Sequence, residues 1–384
     1  MGIGTNKEHA LGRNQILFAK AESTAGTFIK PTATDCVRCE SSSIKYDPGR
    51  ESLMEGSEYA DEVERITGKG KITWSLNADL IPSGTAATEP RLSALLTAAL
   101  GTNNAGAGST WVYSESSSQN LPTLSITRRW STRLMEAIWG AVVQKMTLKL
   151  EGGKRAQIAF EGQAMGYRMT GSCQLHGAMV ATDSMDIDAA DTNLVGINSV
   201  VKVAALDNSG AGYKIKAGTA TPYTLESSIS TDDDASVVPF APTPTWLGSP
   251  LHGILGSFTW ASVEFPITGL DLSLDNQHSL NEDEFGVATF SDAIRGRRKV
   301  SGSLSCRVRK DLMYLIANRQ AFATVALLAT AGTSAGSRYK FSIPQAEMNF
   351  AEMTASGDKE MTVQIPFEGL ATTAGNNSLT ATHD

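Results

Sequence analysis

Ile66-Thr67-Gly68-Lys69-Gly70-Lys71-Ile72-Thr73-Trp74-Ser75-Leu76 stands in the first half of the chain, and Ile294-Arg295-Gly296-Arg297-Arg298-Lys299-Val300-Ser301-Gly302-Ser303-Leu304 in the second. From Lys71 onward, polar and apolar residues alternate. A period of two sends one set of side chains inward and the other toward water or a neighbour, which predicts a strand. Residues 155–161 and 360–368 alternate in the same way. Pro366 cannot donate to a ladder, so its strand is expected at an edge or bulged there.

Helical signals are few. Residues 89–101 carry Pro90 near the start, Gly101 just past the end, and Leu92, Leu95, Leu96 and Ala99 on one face. Residues 311–318 are a shorter candidate. Each helix candidate follows one of the two quoted stretches. Farther on, Phe160-Glu161-Gly162 in the first half is echoed by Phe367-Glu368-Gly369 in the second. The order in both halves is strand, acidic loop, basic strand, helix, strand, turn, strand. That repetition predicts an internal duplication. Gly68 and Gly296 are 228 positions apart and Phe160 and Phe367 are 207 apart, so the first copy is 21 residues longer between them. The Gly/Asn/Ser stretch 101–118 absorbs most of the excess. Between the copies, residues 173–245 form a different segment rich in Asp, Ser, Thr and Gly, with a hairpin-like piece at 200–215 and a stiff Pro-rich end at 239–244. The expected organisation is a first domain at 1–172, an inserted β-rich segment and linker at 173–245, and a second domain at 246–384.

The 384 residues are 41% hydrophobic and only 19% charged, which excludes a disordered chain and suits a β-rich protein with many turns. Net charge is −7, whereas a protein that grips DNA usually carries a basic excess. Apolar runs such as 137–143 are too short to span a bilayer, and the first residues lack a signal-peptide core. Manufacture and assembly in a cytoplasm are expected.

Catalytic spellings are weak. Gly332-Thr333-Ser334-Ala335-Gly336 spells a nucleophile elbow, but the residues after it alternate like a strand where that motif needs a helix. A hairpin turn is expected. Cys36 and Cys39 have zinc or redox spacing with no second pair, and four Cys give no disulfide framework. An EF-hand starting at Asp186 would need Gly at 191 and Glu at 197, where Asp191 and Ile197 stand. There is no phosphate-binding loop or dinucleotide fingerprint. No catalytic residue, cofactor or metal is assigned.

Leu17-Phe18-Ala19-Lys20-Ala21-Glu22-Ser23-Thr24-Ala25-Gly26-Thr27, then Pro31-Thr32-Ala33, resembles the start of siphophage tail tube proteins. A strand at 40–46, a long loop and the basic strand from Gly68 continue the likeness. Thr243-Pro244-Thr245-Trp246-Leu247-Gly248, Ile267-Thr268-Gly269-Leu270-Asp271-Leu272-Ser273-Leu274-Asp275-Asn276 and the strand 296–304 extend it past the insert. The resemblance implies a mainly β fold: two tandem tail-tube-like β-sandwich or half-barrel domains, each with a flanking helix. It also implies a virion protein, the major tail tube subunit. In such proteins sheets of neighbouring subunits join into one inner barrel, which removes open edges. A duplicated chain is similar to those that form homotrimeric, pseudo-hexameric rings, with true hexamers as the alternative, and the rings stack head to tail. The implied partners are other copies of the chain, the tape measure, tail terminator and baseplate proteins, and viral DNA passing through the lumen without specific binding. No membrane is implied.

The loop 47–64 carries Glu51, Glu55, Glu58, Asp61 and Glu62, and the loop 275–292 carries Glu282, Asp283 and Glu284. The strands after them carry Arg65, Lys69 and Lys71, and Arg295, Arg297 and Arg298. The expectation is that each acidic loop packs on basic or polar positions of the next ring, charge complementarity setting register and on-rate. The bland alternative is solvated charged surface. Rival functions are another tail protein (terminator, baseplate or decoration), a surface β-sandwich adhesin, and a hydrolase using Ser334.

Overall fold

The computed structural model describes the chain except residues 1–14, 53–64, 106–109, 117, 119–120, 131–132, 234, 282–289, 291, 309–323, 350–352, 355–360, 373–374 and 376. The protein is mainly β. Its residues fall into two compact units, each drawn from separated stretches: 1–38, 124–141 and 165–246 in the first, and 39–123, 142–164 and 247–384 in the second.

Eight strands of the second unit matter most. They are β1 (Cys39–Asp47), β2 (Lys71–Asp79), β3 (Leu134–Glu151, of which residues 142–151 belong to this unit), β4 (Gln157–Ala164), β5 (Gly269–Asp275), β6 (Lys299–Arg307), β7 (Tyr339–Met348) and β8 (Thr362–Leu370). All neighbours pair antiparallel, in the order β1-β2-β4-β3-β5-β6-β8-β7. The first four strands come from the first sequence repeat and the last four from the second, and the internal order is the same in each set. The match extends to register. Ser42 faces Leu76 in the first hairpin, and Leu270 faces Leu304 in the second, both partners shifted by the same 228 positions. The repeats are therefore consecutive halves of one half-barrel sheet, joined where Lys145–Glu151 of β3 pairs Gly269–Asp275 of β5. That joint places strands of both repeats in one compact unit.

Alternation builds the core on one face. Leu76, Phe160, Met146, Leu274 and Val300 occupy one row across five strands, and Ala78, Ile158, Leu148 and Leu272 the next; all are buried. Burying side chains of this size contributes about 1.5–3 kcal/mol each. The helix α1 (Ser93–Leu100) adds Leu95, Leu96 and Ala99 to the buried residues and ends at Gly101, whose φ is +119°. The candidate helix 311–318 lies outside the described residues. Pro366 sits inside β8, with Ser303 of β6 opposite, so the strand is not an edge as expected. Its carbonyl accepts from Asn349 N, so its missing N–H faces Asn349, just past the end of β7, and not β6.

In the first unit, Ile16–Ala21, Leu124–Arg129, Leu134–Ala141 and Gly166–Gly171 form an antiparallel sheet. Arg128 and Glu136 face each other across it, and Arg128 Nε donates to Glu136 Oε2 at 2.8 Å. The insert folds as a six-stranded sheet, in the order Cys173–Gln174, Ser236–Pro239, Val200–Val203, Tyr213–Ala217, Tyr223–Thr231, Met179–Met185. It has its own core, in which Leu175, Met185, Val203, Ile215, Leu225 and Val237 are fully buried.

Candidate functional site

Two features of the second unit bear on function: the necks of the acidic loops, and the polar face of the sheet. Each loop leaves its hairpin through a two-stranded ribbon. In the first, Arg50–Ser52 pairs Arg65–Thr67 with Glu51 opposite Ile66. In the second, Ser279–Leu280 pairs Ala293–Ile294 with Ser279 opposite Ile294, again 228 positions along. Glu51 and Arg65 thus stand on the first ribbon. Glu55, Glu58, Asp61, Glu62, Glu282, Asp283 and Glu284 lie outside the described residues.

The necks differ in chemistry. In the first, Gly68 N donates to Gly49 O at 2.7 Å, and Gly49 adopts a φ of +61°. A Cβ on Gly49 would stand 2.3 Å from Lys69 O, and one on Gly70 would stand 2.6 Å from the Tyr46 ring, so this neck requires glycine. In the second, Gly296 is kept at the position of Gly68, but Gln277 and Arg298 stand in place of Gly49 and Gly70, and Arg298 joins a buried polar cluster. Arg298 Nε donates to Asn276 Oδ1 at 2.7 Å, and its Nη2 donates to Leu100 O at 2.9 Å and Ala99 O at 3.3 Å. Its Nη1 lies 3.3 Å from Glu115 Oε1. The guanidinium therefore closes the C-terminal carbonyls of α1, where a cation is favoured. Burial pulls its pKa down, and Glu115 opposes that. Asn276 Nδ2 donates to Ala99 O at 2.8 Å and Val143 O at 3.1 Å. Asn276 N donates to the carbonyl of Gln144, the extra residue of a bulge in β3. His278 is buried beside them, its pKa pushed down to about 4 by burial first and then by Arg298 and Arg295.

Of the basic residues expected to face partners, Arg298 is thus turned inward and engaged within its own unit. Arg295 Nη1 donates to Ser118 O at 2.8 Å. Arg297 and Lys71 are exposed, Lys69 is half-buried, and Lys71 stands opposite Asp47. Sequence reasoning missed Asn276, His278 and Glu115 altogether.

The face of the sheet opposite the core carries no large apolar side chain across its central rows. One row reads Ser41, Asn77, Ala159, Thr147, Ser273, Ser301 from β1 to β6. The adjacent row reads Ser43, Ser75, Glu161, Lys145, Asp275, Lys299, so charge alternates in sign from β4 onward. Lys299 Nζ also meets Glu368 Oε1 at 2.9 Å. At the edge, β1 pairs only with β2 among the described residues, and Tyr46, Lys45 and Asp47 are exposed.

The residues set aside in the sequence have structural places. Ser334 is at the tip of the turn between Val325–Ala331 and β7, a strand on either side. Cys36, Cys173 and Cys306 are buried, and burial pushes the Cys173 thiol up to about 12 and Cys306 to about 11. Asp183 pairs with Lys216, Asp188 lies near His176, and Asp233 accepts from Gly177 N. No described helix is long and apolar enough to cross a membrane. A search of curated proteins returned no match. A family model described as phage tail tube protein matches residues 12–369, nearly the whole chain. The extended sheet with one polar face, built twice over, is thus the scaffold of a structural virion component, and the chain belongs to the phage tail tube protein family.

Proposed function

We propose that the chain is the major tail tube subunit, closing into homotrimeric rings that stack into the conduit for DNA ejection. The carrying observation is the repeated sheet with its open first edge. Within one chain, β3 at the end of the first half receives β5 at the start of the second. β7 is the counterpart of β3 and β1 the counterpart of β5. Residues 339–346 of β7 already pair with Val325–Ala331, so β1 of the next copy would add alongside the chain from Glu347 onward, repeating the in-chain joint and covering the open edge of β1. Three such chains supply six repeats. The polar face then lines the bore and the core face packs outward.

In this reading the acidic loops reach the next ring, as a head-to-tail contact that generates a filament, and the exposed Arg297 is among the basic groups that would receive them. Tape measure, terminator and baseplate proteins would meet the ends of the stack, and assembly would take place in the host cytoplasm. Negative-stain electron microscopy of the purified chain at rising concentration tests this. Hollow tubes or stacked rings with a bore wide enough for duplex DNA are expected. The variant E282K/D283K/E284K should give rings that do not stack. Dispersed monomers at every concentration, even with pre-formed tube ends added, would remove the reading.

A further inference from the structure

The lysines in the middle of the polar face all stand directly opposite carboxylates. Lys145 lies between Glu161 of β4 and Asp275 of β5. Lys149 faces Asp271. Lys299 faces Asp275 and is bonded to Glu368 of β8. Directly opposite residues of an antiparallel pair have Cβ atoms about 4.5–5.5 Å apart, within reach of ionic contact for these chain lengths. The arrangement follows from register, and register is imposed by the buried rows on the other face: a slip of one residue would send Met146, Leu148 and Leu272 into water. Exposed pairs of this kind add little to stability, so their consequence lies in the field they set up. Lys45 and Arg307, toward opposite ends of the strands, face threonines instead.

We propose that Glu161, Asp271 and Asp275 are built-in counter-ions that mask Lys145, Lys149 and Lys299 from a nucleic-acid duplex, so that this face offers a polyanion nowhere to settle. The inference rests on the conduit reading and adds what that reading leaves open. The face does not avoid cations. It sets a carboxylate on the next strand opposite each lysine of its middle rows. Affinity for a duplex comes from lysines and arginines that displace the counter-ions condensed on phosphates. A lysine already paired on the protein gains less from a phosphate and must give up its partner to bind one.

The test uses the unassembled full-length chain and a short fluorescent DNA duplex, followed by anisotropy between about 50 and 200 mM salt. The wild-type chain should show no saturable binding. The near-isosteric variant E161Q/D271N/D275N should bind, with log K falling against log salt at a slope of about −2, one phosphate contact each for Lys145 and Lys149, since Lys299 keeps Glu368. A control variant, D188N/D207N/D232N, adds the same net charge in the insert without removing a carboxylate that is paired with a lysine, and should not bind. Adding K145Q/K149Q/K299Q to the first variant should abolish the gain. Equal binding by the control would show that net charge alone matters and overturn the proposal. So would a folded first variant that binds no better than wild type, or a wild-type chain that already binds. Tube formation by the same preparations is read separately in the microscope. Tubes without the expected DNA response refute the masking and leave the conduit standing, whereas absent wild-type tubes remove the conduit whatever the anisotropy shows.

Discussion

Replacing Arg298 with Met isolates the neck of the second loop. The substitution keeps an unbranched apolar stem of similar length and removes the charge and its donors. Four acceptors lose a contact: Glu115, whose side chain is 6% exposed and which keeps Ser378 Oγ, Asn276 Oδ1, and the Ala99 and Leu100 carbonyls at the end of α1. Removing one member of a buried ion pair costs about 3–5 kcal/mol, because the other charge is left without compensation. The orphaned carbonyls fall partly within that cost, since Asn276 Nδ2 still reaches Ala99 O at 2.8 Å. A loss of about 4 kcal/mol follows. Urea unfolding at neutral pH, followed by tryptophan emission, would show it as a lowered midpoint. R297M is the control: Arg297 is exposed one residue away, and its loss should stay within about 0.5 kcal/mol. Removing both charges, in R298M/E115L, should return most of the loss, because a buried pair replaced as a whole by apolar groups is often neutral. What remains missing in the double variant measures the helix carbonyls. If R298M were as stable as R297M, Arg298 would be a surface residue, and the inward placement that separates it from the assembly surface would be refuted.

Two further outcomes follow from buried groups. His278 is neutral in the fold, its pKa held near 4 against an ordinary 6.5, so the unfolded chain takes up a proton first as pH falls. The stability it contributes is fully present above pH 6.5 and is lost progressively as pH falls toward 4, by as much as about 3 kcal/mol; the urea midpoint should drop over that window and flatten in H278Q. At Gly162, a Cβ would stand 1.8 Å from Val142 O and 3.0 Å from Trp74 Nε1. G162A must push β3 from β4, lowering stability by about 1–3 kcal/mol, whereas G153A, with nothing within 4 Å, should cost only the backbone strain of its +82° φ.

The eight-stranded sheet was legible where one face is buried and the other wet. Lys71–Asp79 alternates without a break, and its repeat counterpart Lys299–Arg307 announces itself by the same pattern. Tyr213–Ala217 and Val200–Val203 were equally readable as a hairpin. Leu134–Glu151 was not: around Met135–Ile138 and Ala141–Val143 its residues are buried on both faces, so period two disappears and only an apolar run remains. The inward turn of Arg298 was in fact within reach. Counting back by two from Leu304, Gly302 and Val300 puts position 298 on the core side, but a run of four cations from 295 to 299 reads as surface when residue type is weighed above parity. Asn276 and His278 carried no such signal, since their burial depends on a helix distant in sequence and on a bulge at Gln144.

The divergence of the two necks bears on why a duplicated chain is useful. The hairpins share one register and one offset, while Gly49, Gly68 and Gly70 in one copy correspond to Gln277, Gly296 and Arg298 in the other. The glycine neck is closed by backbone, through Gly68 N and Gly49 O, and the other neck is tied to α1 by the side chains of Arg298 and Asn276. In the proposed ring, two kinds of neck would alternate around the rim, one built of glycines and one tied to α1. A ring of six identical subunits has no such choice, because every change is made six times. Joining two copies in one chain makes half of the lateral joints intramolecular, which fixes their partner, and leaves the other half to set when rings close. The prediction is sharpest at the glycine neck. G49A, whose Cβ would collide with Lys69 O, should alter tube growth at least as much as it alters stability, because the segment it distorts leads to the assembly loop and not to the core. Normal tubes from a G49A chain of reduced stability would place that neck with the scaffold and dissolve the asymmetry argued here.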